Sequence, residues 1–126
     1  MKKVVLDTNF LLAPYQFKID IFTQLRDMIP TNYELYVSKR ILHEITRLSQ
    51  STGRHASAAR FALKLIAVNK VKVIDSDEFA DDWIVKYAEE DEDVIVCTND
   101  IFLKNRVKAR KRKVVGMRTK ARLAFL

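Results

Sequence analysis

Several residue types are scarce in this chain of 126 residues, and each scarcity excludes a class of structure or site. The single cysteine, Cys97, excludes an internal disulfide, and its place in the apolar run 94–97 predicts a buried core thiol. Two histidines and one cysteine do not favour a zinc site. The chain contains only two glycines and no glycine-rich phosphate-binding loop, so we expect no nucleotide cofactor.

Long apolar runs are also missing from the sequence. The longest contain about four residues, which is too short to cross a bilayer, and the amino terminus lacks the apolar core of a signal peptide. Hydrophobic residues make up 48% of the chain and charged residues 31%, a balance typical of globular proteins. We therefore expect one soluble, cytoplasmic domain over residues 1–126 with no membrane partner.

The net charge of +7 is unevenly distributed along the chain. Residues 1–74 contain twelve Lys or Arg and five acids, residues 75–100 one Lys and eleven acids, and residues 101–126 ten Lys or Arg and no acid. Because cations without counter-charge favour a polyanion, we expect this basic carboxyl-terminal segment, residues 101–126, to hold a nucleic acid backbone. Its candidate contact residues are Lys104, Arg106, Arg110, Lys111, Arg112 and Arg118.

Strand and helix patterns alternate along the chain, which predicts a parallel sheet with crossover helices. The predicted strands are the opening run ending at Leu6 and residues 34–37, 71–74, 94–97 and 113–117. The predicted helices are residues 19–29, 39–49, 54–69, 77–90 and 101–112. Residues 10–17, which include Pro14, are expected to form a loop or short turn, and residues 119–126 a short helix or tail.

Two of the predicted strands end in the same kind of polar run. Asp7-Thr8-Asn9 follows the first strand, and Thr98-Asn99-Asp100 follows the fourth. Ligands of open α/β sheets bind at the carboxyl ends of the strands, so Asp7 and Asp100 are site candidates. The alternative is that these polar residues only cap the following turns or helices.

Two further carboxylates are expected to face inward from helices. Glu44 lies between Ile41 and Leu48 in the helical pattern, which places it at the edge of an apolar stripe. The alternative is a solvated side chain paired with a neighbouring arginine. Asp81 falls toward the apolar face of its helix, whereas Asp82 points away, although a shift of one residue would exchange them. The alternative for Asp81 is an acid that interacts favourably with the helix amino terminus.

These four carboxylates, Asp7, Glu44, Asp81 and Asp100, predict a site for a hard cation if they converge. Two carboxylates about 4 Å apart repel by about 4 kcal/mol at an effective dielectric constant of 20, so the cluster needs a counter-charge. Oxygen ligands select Mg²⁺ or Mn²⁺. One or two such ions activate water and stabilise the reacting oxygens of a phosphodiester, so we predict phosphodiester hydrolysis.

The ordered set of motifs resembles the PIN domain over essentially the whole chain. Its members are Asp7-Thr8-Asn9, Glu44, Asp81 with Ile84 and Ala88, and Thr98-Asn99-Asp100. The resemblance implies a three-layer α/β/α fold with a parallel five-stranded sheet of order 3-2-1-4-5. It also implies a metal-dependent ribonuclease whose Mg²⁺ or Mn²⁺ is held by the four acids, with Asn9 and Thr98 in support, and whose products carry a 5′ phosphate and a 3′ hydroxyl.

The opening residues look most like the archaeal branch that is similar to ribosomal RNA processing PIN proteins, and less like the toxins of toxin–antitoxin pairs. Ribosomal RNA processing is therefore the expected context, with a toxin ribonuclease as an alternative. A second alternative is an RNA-binding ribosome-assembly factor with little turnover. A homodimer is also open, because the apolar residues 123–126 can bury against a second copy or against their own sheet.

Overall fold

Five strands and five helices follow one another in the order that the sequence patterns predict, and one more helix and one more strand are present. A computed structural model of the protein describes residues 1–76 and 78–126. The strands are β1 (Lys2–Leu6), β2 (Tyr33–Ser38), β3 (Lys72–Ile74), β4 (Val94–Cys97), β5 (Lys113–Met117) and β6 (Leu123–Phe125). The helices are α1 (Thr8–Phe17), α2 (Ile21–Met28), α3 (Lys39–Ser49), α4 (Arg54–Val68), α5 (Ala80–Glu90) and α6 (Ile101–Ala109). Across the described ranges, no helix has both the length and the apolar character that a membrane span requires.

The strands form one sheet of order β3-β2-β1-β4-β5-β6. Strands β1 to β5 are parallel to one another, and their order in the sheet confirms the predicted order 3-2-1-4-5. The sixth is antiparallel to β5, so the prediction of a short helix or tail for residues 119–126 is wrong. Hydrogen bonds to residues far away in the sequence hold this strand, and the local sequence pattern does not reveal them. Leu126 N donates to Val114 O at 2.9 Å, and Leu123 N donates to Gln24 Oε1 at 2.8 Å.

Helices cover both faces of the sheet and complete a three-layer α/β/α arrangement. Helices α1, α3 and α4 pack on one another, and α5 packs against α6. Between these layers, Val4, Val5 and Leu6 of β1 and all of β4 are buried. Their unbroken apolar runs suit strands that are covered on both sides. Cys97 is buried in this core, as predicted.

Several helices differ from the sequence prediction in their bounds. Helix α2 begins at Ile21 instead of residue 19, and α6 ends at Ala109 instead of residue 112. Residues 8–17 form α1 instead of a loop, although Pro14 lies inside the helix and lacks a backbone donor. Burial of residues 10–14 against the sheet outweighs that loss. Helix α5 begins at Ala80, and the predicted start at Asp77 lies outside the described residues.

The chain reverses its direction of travel across the sheet between β1 and β4. These two strands are neighbours, but β1 is followed by β2 on one side, whereas β4 is followed by β5 on the other. The loops that leave them diverge and open a crevice at their carboxyl ends. Asp7 N donates to Cys97 O at 3.0 Å, which keeps the two strands paired up to this crevice.

Candidate active site

The four predicted carboxylates line one cleft at the carboxyl ends of β1 and β4. The cleft has a volume of about 440 Å³. Asp7 and Asp100 follow the two strands, Glu44 comes from α3, and Asp81 comes from the first turn of α5. The structure therefore brings together side chains that are widely separated in the sequence.

Asp7 forms the floor of the cleft and is only 5% exposed. It is the N-cap of α1, and its Oδ1 accepts a hydrogen bond from Thr8 N at 2.9 Å. Its Oδ2 accepts a hydrogen bond from Thr98 Oγ1 at 2.7 Å. The two interpretations of Asp7, helix cap and site residue, are therefore compatible.

Asp100 caps α6 and also faces the cleft. Its Oδ1 accepts hydrogen bonds from Phe102 N at 2.8 Å and Leu103 N at 3.3 Å. Its backbone N donates to Thr98 Oγ1 at 3.1 Å. The buried Thr98 hydroxyl thus joins Asp100 to Asp7, which suits the supporting role that the resemblance implies.

Glu44 reaches the cleft from a more exposed position than the sequence suggested. The residue is exposed and does not lie at the buried edge of its helix. Its Oε2 accepts a hydrogen bond from Thr8 Oγ1 at 3.0 Å, and this bond directs the carboxylate to the cleft. Thr8 was not among the predicted site residues, although it lies inside the Asp7-Thr8-Asn9 run.

The structure distinguishes the two adjacent acids of α5. Asp81 is half-buried and lines the cleft, as predicted. Asp82 is exposed and forms an ion pair with Arg106, with a distance of 3.0 Å between Oδ1 and Nη2. Asp81 is therefore the candidate site residue of the pair.

The cleft concentrates negative charge. The pKa of Asp7 is raised to about 6, mainly because the carboxyl group is buried. The hydrogen bonds from Thr98 and Thr8 act against this rise, and the nearby Asp81 and Asp100 add to it. Burial also raises the pKa of Asp81, as does the neighbouring Asp100. None of the four cleft carboxylates forms an ion pair with a residue of the described chain.

The donor set of the cleft suits a hard cation that keeps part of its water shell. All four acidic groups present oxygen, the ligand atom that Mg²⁺ and Mn²⁺ prefer. Within residues 1–76 and 78–126, no three His, Cys, Asp or Glu side chains are gathered closely enough to form a complete metal site. Such closeness is not required of Mg²⁺, which proteins commonly hold through one or two carboxylates while water and substrate phosphate supply the other ligands. The residues present therefore fit Mg²⁺ or Mn²⁺.

Two asparagines fasten the loops around the cleft. Asn9 Oδ1 accepts a hydrogen bond from Asn99 N at 3.0 Å, and Asn99 Oδ1 accepts one from Met117 N at 2.8 Å. Beside them, a Cβ on Gly116 would lie 2.6 Å from Thr98 O, so only glycine allows this close approach. The ends of β1, β4 and β5 are thereby held together. The supporting role of Asn99 was not predicted.

Phe79 forms part of the cleft wall and was also missed by sequence reasoning. Its side chain is 69% exposed, and the Arg40 guanidinium lies 4.4 Å from the ring centroid. The residue immediately precedes α5, where no periodic pattern distinguishes a site residue from a loop residue.

The basic carboxyl-terminal segment divides into two groups. Lys104 and Arg118 line a second cleft, which shares Asp100 with the carboxylate cleft. By contrast, α6 runs from Asp100 back to the start of β5, which places residues 110–112 at the opposite end of the sheet. The segment therefore does not form one continuous surface beside the carboxylates.

Three of the predicted RNA-contact arginines have partners within the protein. Arg106 pairs with Asp82, and Arg110 pairs with Glu89 at 3.6 Å. Arg112 Nε donates to the carbonyl oxygens of Ala88 at 2.8 Å and Asp91 at 3.2 Å. These bonds satisfy carbonyl groups at the end of α5, so the Arg112 guanidinium stabilises the fold. An RNA contact by Arg112 stays a prediction.

Comparison with known proteins agrees with this arrangement. A family model described as a PIN like domain matches residues 4–120. The chain belongs to the PIN-like domain family. Ribonuclease VapC4 of Methanocaldococcus jannaschii is 34% identical over 124 residues, which cover 95% of this chain and 93% of that protein. Ribonuclease VapC9 of Archaeoglobus fulgidus is 34% identical over 107 residues, covering 84% and 76% of the two chains.

Other similar proteins extend the comparison of this PIN-like chain. The rRNA-processing protein FCF1 of Saccharomyces cerevisiae is 28% identical over 118 residues, which cover 91% of this chain and 57% of that protein. The solved structure of the PIN domain endonuclease Utp24 matches with a TM-score of 0.78 and 23% identity, over 98% of this chain and 90% of that one. At this identity the structural match supports the fold alone.

Proposed function

We propose that this PIN-like chain is an endoribonuclease that hydrolyses RNA phosphodiester bonds with the help of Mg²⁺ or Mn²⁺. The observation that carries the proposal is the carboxylate cleft, which Asp7, Glu44, Asp81 and Asp100 line without a cationic partner in the described chain. Stability alone does not favour such an arrangement, because the carboxylates repel one another. A bound cation would offset this repulsion between the carboxylates and would also bind the substrate phosphate.

Asp7 and Asp100 are the residues that would hold the cation most rigidly. Both are fixed as helix caps and are joined through Thr98, whereas Glu44 and Asp81 are more accessible to solvent. A bound Mg²⁺ or Mn²⁺ lowers the pKa of water and offsets the charge that develops on the phosphate. The Thr8 and Thr98 hydroxyls keep the carboxylates of Glu44 and Asp7 aimed into the cleft.

The similar proteins support a ribonuclease in particular. The two relatives that are 34% identical are both named ribonucleases, and the yeast relative is named for ribosomal RNA processing. We therefore take RNA as the substrate and ribosomal RNA processing as one context for the activity. The basic residues beside Asp100 provide the counter-charge that an RNA backbone needs.

Two matched variants test the proposal. In Asp81→Asn a cleft carboxylate is lost, whereas in Asp82→Asn its neighbour outside the cleft is lost. We expect Asp7→Asn and Asp81→Asn to lower the cleavage rate by at least about 100-fold and to weaken Mn²⁺ binding, measured by calorimetry. Asp82→Asn should retain both. Equal cleavage by Asp7→Asn, Asp81→Asn and the unmodified protein would show the assignment to be wrong.

The RNA-binding assembly factor is the competing function. It is favoured by the similarity to an rRNA-processing protein and by the basic segment. The two functions differ in a single measurement: RNA that is bound but left intact in both Mg²⁺ and Mn²⁺ supports the binding protein. Fragments that end in a 5′ phosphate and a 3′ hydroxyl support the nuclease.

A further inference from the structure

A second cleft lies against the carboxylate cleft and differs from it in charge. Its volume is about 710 Å³, and it shares Asp100 with its neighbour. Lys104 enters it from α6, and Arg118 and Lys120 enter from the turn between β5 and β6. Throughout the described chain, no acid forms an ion pair with any of these three cations.

The floor of this cationic cleft is apolar. Phe17, Ile101, Met117 and Leu126 contribute to its lining, and the Phe17 side chain is 42% exposed. A surface that combines an exposed aromatic ring with free cations is suited to a nucleotide, because the base stacks on the ring while the cations contact phosphate. An isolated anion would not need the apolar floor.

The turn that carries Arg118 and Lys120 is held in place from both sides. Asn99 Oδ1 accepts a hydrogen bond from Met117 N at 2.8 Å on the side of the carboxylates. On the far side, Gln24 Nε2 donates to Ala121 O at 2.9 Å, and Gln24 Oε1 accepts from Leu123 N at 2.8 Å. The backbone that carries Arg118 and Lys120 is therefore held in position beside the cleft.

From these observations we propose that the cationic cleft binds an unpaired nucleotide of the RNA strand next to the bond that is cut. Lys104, Arg118 and Lys120 contact the backbone phosphates, and the base lies against Phe17 and Met117. This assignment rests on the proposed ribonuclease function and adds a second requirement, since a base held in a duplex cannot turn into the cleft. The site thus selects an unpaired residue beside the reacting phosphate.

A charge-matched pair of variants tests the phosphate contacts. Lys104→Gln/Lys120→Gln removes two cleft cations, whereas Lys108→Gln/Lys113→Gln removes two exposed lysines of the same basic segment that lie away from the cleft. Binding of a labelled single-stranded RNA is measured against salt concentration in EDTA, where no metal-dependent cleavage occurs. The logarithm of the association constant falls as the logarithm of the salt concentration rises. We expect the first pair to make this dependence shallower by about 1.4, the value for two lost phosphate contacts, and the second pair to leave it unchanged. Equal slopes for the two pairs overturn the proposal.

A second pair of variants tests the base contact. Phe17 and Tyr15 both lie on α1 and are 42% and 41% exposed, but only Phe17 lines the cationic cleft. We expect Phe17→Ala to weaken binding of single-stranded RNA at least about fivefold, and Tyr15→Ala to have no such effect. If a fully paired RNA loses as much affinity from Phe17→Ala, the contact is not made by an unpaired base.

Because both assays are performed in EDTA, their results are independent of catalysis. Binding that follows these expectations in a protein that never cleaves RNA rejects the nuclease and keeps the nucleotide site. Cleavage that depends on Asp81 but is insensitive to Phe17 and Lys104 keeps the nuclease and rejects the nucleotide site.

Discussion

Thr98 Oγ1 lies 2.7 Å from Asp7 Oδ2 and donates a hydrogen bond to it, although the two residues are 91 positions apart in the chain. The same hydroxyl oxygen accepts a hydrogen bond from Asp100 N at 3.1 Å. Both sides of the crevice between β1 and β4 therefore depend on one buried side chain. The Thr98 hydroxyl donates to Asp7 and accepts from Asp100, so an apolar residue of similar shape cannot replace it.

Thr98→Val should separate the effect of this hydroxyl from that of side-chain volume. The variant leaves Oδ2 of the buried Asp7 without a donor and the Asp100 amide without an acceptor, which should lower the free energy of unfolding by about 1 to 3 kcal/mol. We also expect RNA cleavage to fall by about 10- to 100-fold, because the carboxylates lose their support. Thr98→Ser, which keeps the hydroxyl, is the control. Wild-type cleavage by Thr98→Val would remove Thr98 from the site.

Asp7 makes the stability of the metal-free protein depend on pH. Burial raises its pKa to about 6 from an ordinary 3.8, so the folded protein holds the proton more tightly than the unfolded chain does. The resulting stabilisation is fully present below pH 3.8 and is lost as the pH rises through about 6. The difference corresponds to about 3 kcal/mol of unfolding free energy.

Asp7→Asn should therefore flatten this part of the pH profile. Urea unfolding in EDTA between about pH 4 and pH 7 measures the effect, since the amide cannot titrate over that range. Asp82→Asn, which changes an exposed acid outside the cleft, should retain the wild-type profile. Superimposable profiles for Asp7→Asn and the wild type would mean that Asp7 titrates normally.

Gly116→Ala should destabilise the protein through the backbone. Its Cβ would lie 2.6 Å from Thr98 O and 2.7 Å from Leu126 Cδ1. We expect a loss of about 1 to 3 kcal/mol in unfolding free energy, measured by urea denaturation. The double variant Gly116→Ala/Leu126→Ala removes the side-chain contact alone and should not restore stability. Full recovery in the double variant would show that the carbonyl contact is unimportant.

Arg112→Ala should affect stability and leave RNA binding unchanged. Its guanidinium donates to carbonyl groups of Ala88 and Asp91 at the end of α5, and their loss should lower the unfolding free energy by about 1 to 3 kcal/mol. Lys108→Ala, an exposed change on α6, should remain within about 0.5 kcal/mol of the wild type. A reduced salt dependence of RNA binding in folded Arg112→Ala would contradict this interpretation.

Much of the fold could be predicted because periodicity and burial act locally. The apolar runs of β1 and β4 identify central strands, and the polar runs after them identify the carboxyl edge of the sheet. The convergence of Asp7 and Asp100 follows from that topology, since neighbouring parallel strands end at the same edge of the sheet. A helical pattern likewise favours Asp81 over Asp82 as the inward acid, although a shift of one residue would exchange them.

The elements that escaped prediction depend on contacts between distant parts of the chain. Strand β6 is held by Gln24 and Val114, and α1 continues through Pro14 because its apolar residues are buried. The sequence predicts one basic surface over residues 101–126, because a run of charged residues does not show at which end of the sheet each side chain lies. The return path of α6 places Lys104 at one end of the sheet and Arg112 at the other. Glu44 is directed by Thr8, a partner that its own helix does not reveal.

The two outermost strands of the sheet, β3 and β6, are each only three residues long. Lys72 of β3 is exposed and forms an ion pair with Glu34 on the adjacent strand. Edge strands this short, one of which carries a lysine, offer few free amide and carbonyl groups to an incoming chain, which discourages fibril growth and strand exchange. We therefore expect association with another molecule to use side chains on the helical layers or at the crevice and not to extend the sheet.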